Sequence, residues 1–94
     1  MKLRFMPEAE NALFEIGIWV EERNTAESGI RFINKLIDQI DAYVLPHVRY
    51  PACKNKVLAS HHLSCIAIND WVFAFKQTKD EFVVHYILYG PGLK

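Results

Sequence analysis

CIAINDWVFAFKQTKDEFVVHYILY, residues 65–89, holds three short apolar runs. Asn69-Asp70 and Thr78-Lys79-Asp80-Glu81 separate them. The runs are rich in aromatic and β-branched residues, which suit a pleated and largely buried surface. Two polar breaks between three such runs predict an antiparallel meander. Both of its faces read as apolar. Trp71, Phe73 and Phe75 alternate with Val72 and Ala74, and Phe82, Val84, Tyr86 and Leu88 alternate with Val83, Ile87 and Tyr89. Whatever lies upstream has to cover at least one of these faces.

Upstream, Met1 to Met6 alternates Leu3 and Phe5 with Lys2 and Arg4, the pattern of a short strand with one wet face. Pro7 is well suited to the first turn of a helix, and Glu8 and Glu10 are placed where the helix dipole favours negative charge. The first helix is expected from Pro7 to Arg23, with Ala9, Leu13, Ile16 and Val20 on one face and Ala12 and Trp19 beside them. Gly17, costly in a helix interior by about 1 kcal/mol, suggests close approach of a second helix. Asn24 and Glu27 have capping-box spacing, so the second helix is expected from Thr25 to Leu45. Its seam would be Ile30, Ile33, Ile37, Ile40 and Val44, widened by Phe32, Leu36 and Tyr43, with Pro46 ending it. Residues 47–56 read as a loop. Val57-Leu58-Ala59 suggests a short strand, and Ser60-His61-His62 a turn. Gly90-Pro91-Gly92 should stop the last strand.

The predicted class is therefore α+β: a short N-terminal strand, an antiparallel helical hairpin, then a three- to four-stranded antiparallel meander with the helices packed on one face. Ninety-four residues make one domain, 1–94, and a 51% hydrophobic fraction is enough for a real core. Net charge is zero, so no global field draws the chain to nucleic acid or anionic lipid. No apolar run approaches the roughly 20 residues needed to cross a bilayer. The start carries no cationic-then-apolar signal pattern. A soluble cytoplasmic protein is expected, with Cys53 and Cys65 as free thiols.

Candidate chemistry is sparse. Arg49, Lys54 and Lys56 give a local cationic excess, since no acid lies between Asp41 and Asp70. With Lys76, which alternation puts on the face of Val72 and Ala74, they could hold phosphate or an acidic partner, or form an ordinary solvated set of charges. His85 sits mid-strand, and alternation puts it on a face with Val83, Ile87 and Tyr89. It reads as a hydrogen-bonded or interface histidine, with a general base or RNA contact as the alternative. His61-His62 would point to opposite faces of a strand and matches no standard ligand spacing. Neither metal nor cofactor is expected.

Over nearly its whole length the chain resembles the RelE/ParE superfamily of bacterial toxins from toxin–antitoxin pairs. The resemblance rests on the N-terminal strand, the hairpin reading WVEERNTAESGIRFINKLIDQI, the Pro-containing loop, and DWVFAFKQTKDEFVVHYILYG. It implies a toxin of a plasmid-stabilisation type system, neutralised by a cognate antitoxin. Ribonuclease members of the family carry Arg after the aromatic that opens the corresponding strand, where this chain has Val72. They also end the last strand on His, Tyr or basic side chains, where this chain has Tyr89-Gly90-Pro91-Gly92. The departures favour the ParE-type branch, which acts by protein–protein contact on DNA gyrase. The alternatives are a ribosome-dependent mRNA endonuclease using His85 and Lys76, or an inactive module that keeps only the fold. The expected partner or target surface is Arg49, Lys54, Lys56, Lys76, Val83, His85, Ile87 and Tyr89. An antitoxin segment or a homodimer would cover the sheet face that the helices leave open.

Overall fold

The meander and the helical hairpin form as the residue pattern requires, and the layer between them is where most apolar side chains go. A computed structural model describes residues 1–90, so expectations for Pro91 to Lys94 lie outside the described residues. The elements are β1 (Lys2–Phe5), α1 (Pro7–Arg23), α2 (Ser28–Asp41), α3 (Lys56–Ser60), β2 (Ser64–Ile68), β3 (Trp71–Gln77) and β4 (Glu81–Tyr89). The sheet order is β1-β4-β3-β2. β2, β3 and β4 form the antiparallel meander, while β1 runs parallel to β4 at the edge, with Arg4 opposite Val83 and Phe5 opposite Val84. A parallel neighbour follows from the connection, because β1 reaches its partner only after the chain has passed through both long helices.

The main core lies between the hairpin and one sheet face. Ala9, Leu13, Ile16 and Val20 of α1 and Leu36 and Ile40 of α2 pack on Ile66, Ile68, Phe73, Phe75, Phe82, Val84 and Ile87. Phe75 stacks on Phe82 with centroids 4.2 Å apart, and Tyr50 meets both rings edge-on. The Tyr50 hydroxyl donates to the carbonyl of Tyr43 at 2.8 Å, so its polar tip is satisfied while its ring is packed. The two long helices touch at glycines. A Cβ on Gly29 would come within 2.5 Å of the Gly17 carbonyl oxygen, and one on Gly17 would meet Ile33 Cδ1. Gly17 therefore allows the close approach that its mid-helix position suggests.

Several expectations are corrected. α2 begins at Ser28, not Thr25, because the Thr25 carbonyl accepts from both the backbone N–H and the hydroxyl of Ser28 in a tight turn. The expected capping box does not form. Asn24 instead closes α1, its Nδ2 donating to the Val20 carbonyl at 3.0 Å, and the Glu27 carboxylate pairs with Arg31. α2 also ends early, at Asp41, and residues 42–45 leave in turns. Ile30 of the predicted seam is 64% exposed. Gly29 faces α1, and the next residue lies about 100° further round the helix, pointing outward. Val57-Leu58-Ala59 is helical, not extended. The Asn55 side chain accepts from the N–H groups of Val57 and Leu58 and so starts α3.

The largest correction concerns the second sheet face. The segment before β2 folds over part of it. Cys53, Leu58 and Leu63 pack on Ala74, with Cys65 and Leu88 alongside, and Val72 beneath is fully buried. Ala52 bridges to Ser64, and the Cys53 N–H donates to the Leu63 carbonyl. Cys53 and Cys65 are joined by a disulfide rather than free, their Cα atoms 4.8 Å apart. The compartment argument addresses whether thiols oxidise; it carries no information about the α3 turn that brings these two together.

Candidate functional site

What remains open on the second face is a corner built by a β-bulge. Ala74 lies opposite Tyr86 and Phe75 opposite Val84, so β4 carries one extra residue, His85. Such a bulge turns two successive side chains to the same side of the strand. His85 and Tyr86 thus stand together, ring centroids 6.3 Å apart, on the face of Ala74. Val83, on that same face, lies opposite Lys76 on one side and Arg4 on the other. The corner therefore gathers Arg4 from β1, Lys76 from β3, and His85 and Tyr86 from β4. Lys76, Arg4 and Tyr86 are exposed and His85 is half-buried.

The electrostatics are those of a neutral imidazole near two cations. Burial is the main cause that pushes the His85 pKa below its usual value, with Lys76 and Arg4 lowering it further and Glu8 of α1 pulling it back up. Arg4 Nε donates to Glu81 Oε2 at 3.0 Å, an exposed pair that fixes the guanidinium more than it stabilises the fold. An unprotonated histidine can take a proton, and the two flanking cations can hold an anion. Among the described residues no cluster of His, Cys, Asp and Glu could hold a metal ion.

The structure divides the sequence-predicted surface. It brings Lys76 and His85 together. Val83 shares their face but is buried. Ile87 and Tyr89 do not share it, because the extra residue reverses the alternation beyond His85: Ile87 enters the main core, and Tyr89 faces α1. Arg49, Lys54 and Lys56 are exposed on the segment that precedes and covers the second face. His61 and His62 are exposed in the turn after α3, with His62 in the left-handed region at φ 61°. No pattern in the sequence marks Arg4 and Tyr86 as members of this corner. Only the bulge connects them to His85, and no residue in VVHY signals one.

On the other side of the sheet, a groove of about 520 Å³ runs between α1 and the ends of β3 and β4. Ala12, Glu15 and Trp19 form one wall, and Trp71, Leu88 and Tyr89 the other. Trp71 meets Tyr89 edge-on at 5.0 Å, and the Arg23 guanidinium lies 4.2 Å from the centre of the Trp19 ring. Trp19 is 49% exposed. A second groove, of about 480 Å³, flanks α1 on its opposite side, lined by Leu3, Phe5, Leu13, Phe14, Ile33 and Ile37 with Arg4 and Glu10 at its rim.

No family profile matches the chain, and no curated protein matches it. Among solved structures, the fold is similar to a chain described as "Chromosomal ParDE TA system from P. aeruginosa". The two superpose with a TM-score of 0.76 at 12% sequence identity, over 96% of each chain. At that identity the likeness establishes a shared α+β fold.

Proposed function

We propose that this chain is the toxin component of a bacterial type II toxin–antitoxin system, ParE-like, acting in the cytoplasm by protein–protein contact and neutralised by a cognate antitoxin. The observation that carries this reading is the end-to-end fold likeness to a chain of a ParDE toxin–antitoxin system. Two features of the chain support contact over cleavage. Val72, where ribonuclease relatives would present Arg, is fully buried. Phe14, Ile18, Trp19 and Tyr89 put exposed apolar and aromatic side chains along α1 and its grooves, a surface suited to a protein partner. The target under this reading is a protein, with DNA gyrase the one that the resemblance suggests. Inducing the gene alone should arrest growth, and co-expressing the neighbouring gene should restore it. Unimpeded growth on induction would sink the proposal.

A second reading, ribosome-dependent mRNA cleavage, is favoured by one observation, the bulge that puts His85 beside Lys76, Arg4 and Tyr86. In that chemistry neutral His85 takes the proton of a ribose 2′-OH and the oxygen attacks phosphorus. The P–O5′ bond breaks, the proton returns to the leaving oxygen, and Lys76 and Arg4 hold the charge on the phosphoryl oxygens. The double variant His85→Ala, Lys76→Ala separates the readings. Toxicity that survives it supports protein contact. Loss of toxicity, together with loss of message breaks mapped by primer extension, supports cleavage.

A further inference from the structure

The zero net charge conceals two oppositely charged halves. Residues 7–45, the helical hairpin and its exit, hold eight acids against three bases; the rest of the chain holds three acids against eight bases. The acidic half is most concentrated on α1. Glu8, Glu10, Glu15, Glu21 and Glu22 all lie on its exposed arc, and the helix has no base before Arg23, which is folded onto the Trp19 ring. None of the five is in an ion pair among the described residues, where the salt bridges are Arg4–Glu81 and Arg31–Glu27.

The same arc is apolar along its middle. Phe14 is 68% exposed, and Ile18 lies one turn further on, between Glu21 on one side and Glu22 on the other. The two grooves run along the flanks of this stripe. Glu15 sits at the rim of the Trp19–Trp71–Tyr89 groove and Glu10 at the rim of the Phe14–Ile33–Ile37 groove. Large exposed apolar side chains bordered by charges of one sign describe a docking face for a segment of the opposite sign.

We infer that α1 and its two flanking grooves bind a cationic amphipathic segment of a partner protein. Its apolar side chains, spaced three and four apart, would fill the grooves around Phe14, Ile18 and Trp19. Its Lys and Arg residues would meet the unpaired glutamates. Anionic lipid is repelled by the same five carboxylates. The inference rests on the proposal that the chain works through protein contact, and it adds the sign and shape of what is contacted.

The chain holds its own reporter, because both of its tryptophans line the first groove. The experiment titrates the purified chain with two synthetic helical peptides of identical leucine pattern, one flanked by lysines and one by glutamates. Emission is read near neutral pH at low ionic strength, where the screening length exceeds about 10 Å. The lysine peptide is expected to shift the emission and to bind at least about tenfold more tightly than the glutamate peptide, a preference that shrinks as salt is added. Reversing two exposed charges, Glu15→Lys with Glu22→Lys, leaves α1 with as many bases as acids and should abolish the preference while leaving the far-UV circular dichroism unchanged. Phe14→Ala should weaken the lysine peptide in the unreversed chain. Equal or tighter binding of the glutamate peptide overturns the inference, as does silence with both. Silence with both, combined with concentration-dependent self-association, would assign the face to the basic half of a second copy instead. A chain that arrests growth without this preference refutes only the docking chemistry, and one that shows the preference without arresting growth refutes only the toxin.

Discussion

Two glycines and one histidine show how much single positions decide. Gly17 and Gly29 face each other across the helix pair, yet they are not equivalent. A methyl group on Gly17 meets the tip of the Ile33 side chain, which can turn away; one on Gly29 meets the backbone carbonyl of Gly17, which cannot. Gly29→Ala should therefore destabilise the fold by about 2 kcal/mol or more in denaturant titrations, as overpacking does. Gly17→Ala should cost less, because the gain in helix propensity, roughly 1 kcal/mol, offsets part of the repacking. At His85 the prediction concerns protons. Its folded pKa lies below its unfolded value, so the unfolded chain binds the proton more readily. Stability should be complete above about pH 6.5 and fall as pH drops through the folded pKa, with His85→Gln removing that part of the slope. By NMR titration, Lys76→Gln should raise the His85 pKa and Glu8→Gln should lower it, because the two charges act in opposite directions.

At the scale of elements, legibility followed periodicity. α1 was readable to its ends because Ala9, Leu13, Ile16 and Val20 recur at helical spacing with Pro7 at the start. α2 was readable as a helix and in most of its facing, since Ile33, Ile37, Ile40 and Val44 of the seam turn to the core; only Ile30, the residue after the Gly29 contact, points outward. The bulge was illegible because period-two alternation assumes a ladder with no extra rung. α3 is helical and not extended because the Asn55 cap, two and three residues ahead of Val57 and Leu58, outweighs a three-residue apolar run with a single β-branched member. The disulfide was illegible because spacing in sequence says nothing about proximity across a turn. Its removal tests the covering segment as an element. Cys53→Ala with Cys65→Ala opens a closed loop whose ends are 12 residues apart, which should cost about 3 kcal/mol. Faster amide exchange should centre on residues 52–63, while α1 and α2 remain protected until global unfolding.

For the whole molecule, the fold converts an unremarkable composition into a polar arrangement of charge. A neutral protein with mixed charges, at a sequence pI of about 6.9, is expected to pass through ion exchangers near neutral pH. This chain should instead be retarded on both anion and cation exchangers, through the hairpin on the first and the sheet and loop on the second. Elution from both near about 0.1 M salt is expected, where the screening length falls below the size of the molecule. Passage through both columns would show that the two halves do not act as separate fields. The same separation explains why the sequence alone pointed to the cationic loop around Arg49, Lys54 and Lys56. A local excess stands out in a linear reading, whereas five glutamates spread over four turns become one surface only once the helix is formed.

The extra residue in β4 has a genealogical consequence. If His85 is removed, Val84 and Tyr86 become neighbours while still lying opposite Phe75 and Ala74, and every side chain beyond them keeps its face. The sheet without it is an ordinary ladder. His85 is thus an extra residue that the ladder does not need, and a chain lacking residue 85 should fold with its core intact, giving unchanged near-UV circular dichroism. Relatives with and without that residue could share one architecture, and a gap of a single column in an alignment of β4 would mark which of them bear the corner with its histidine.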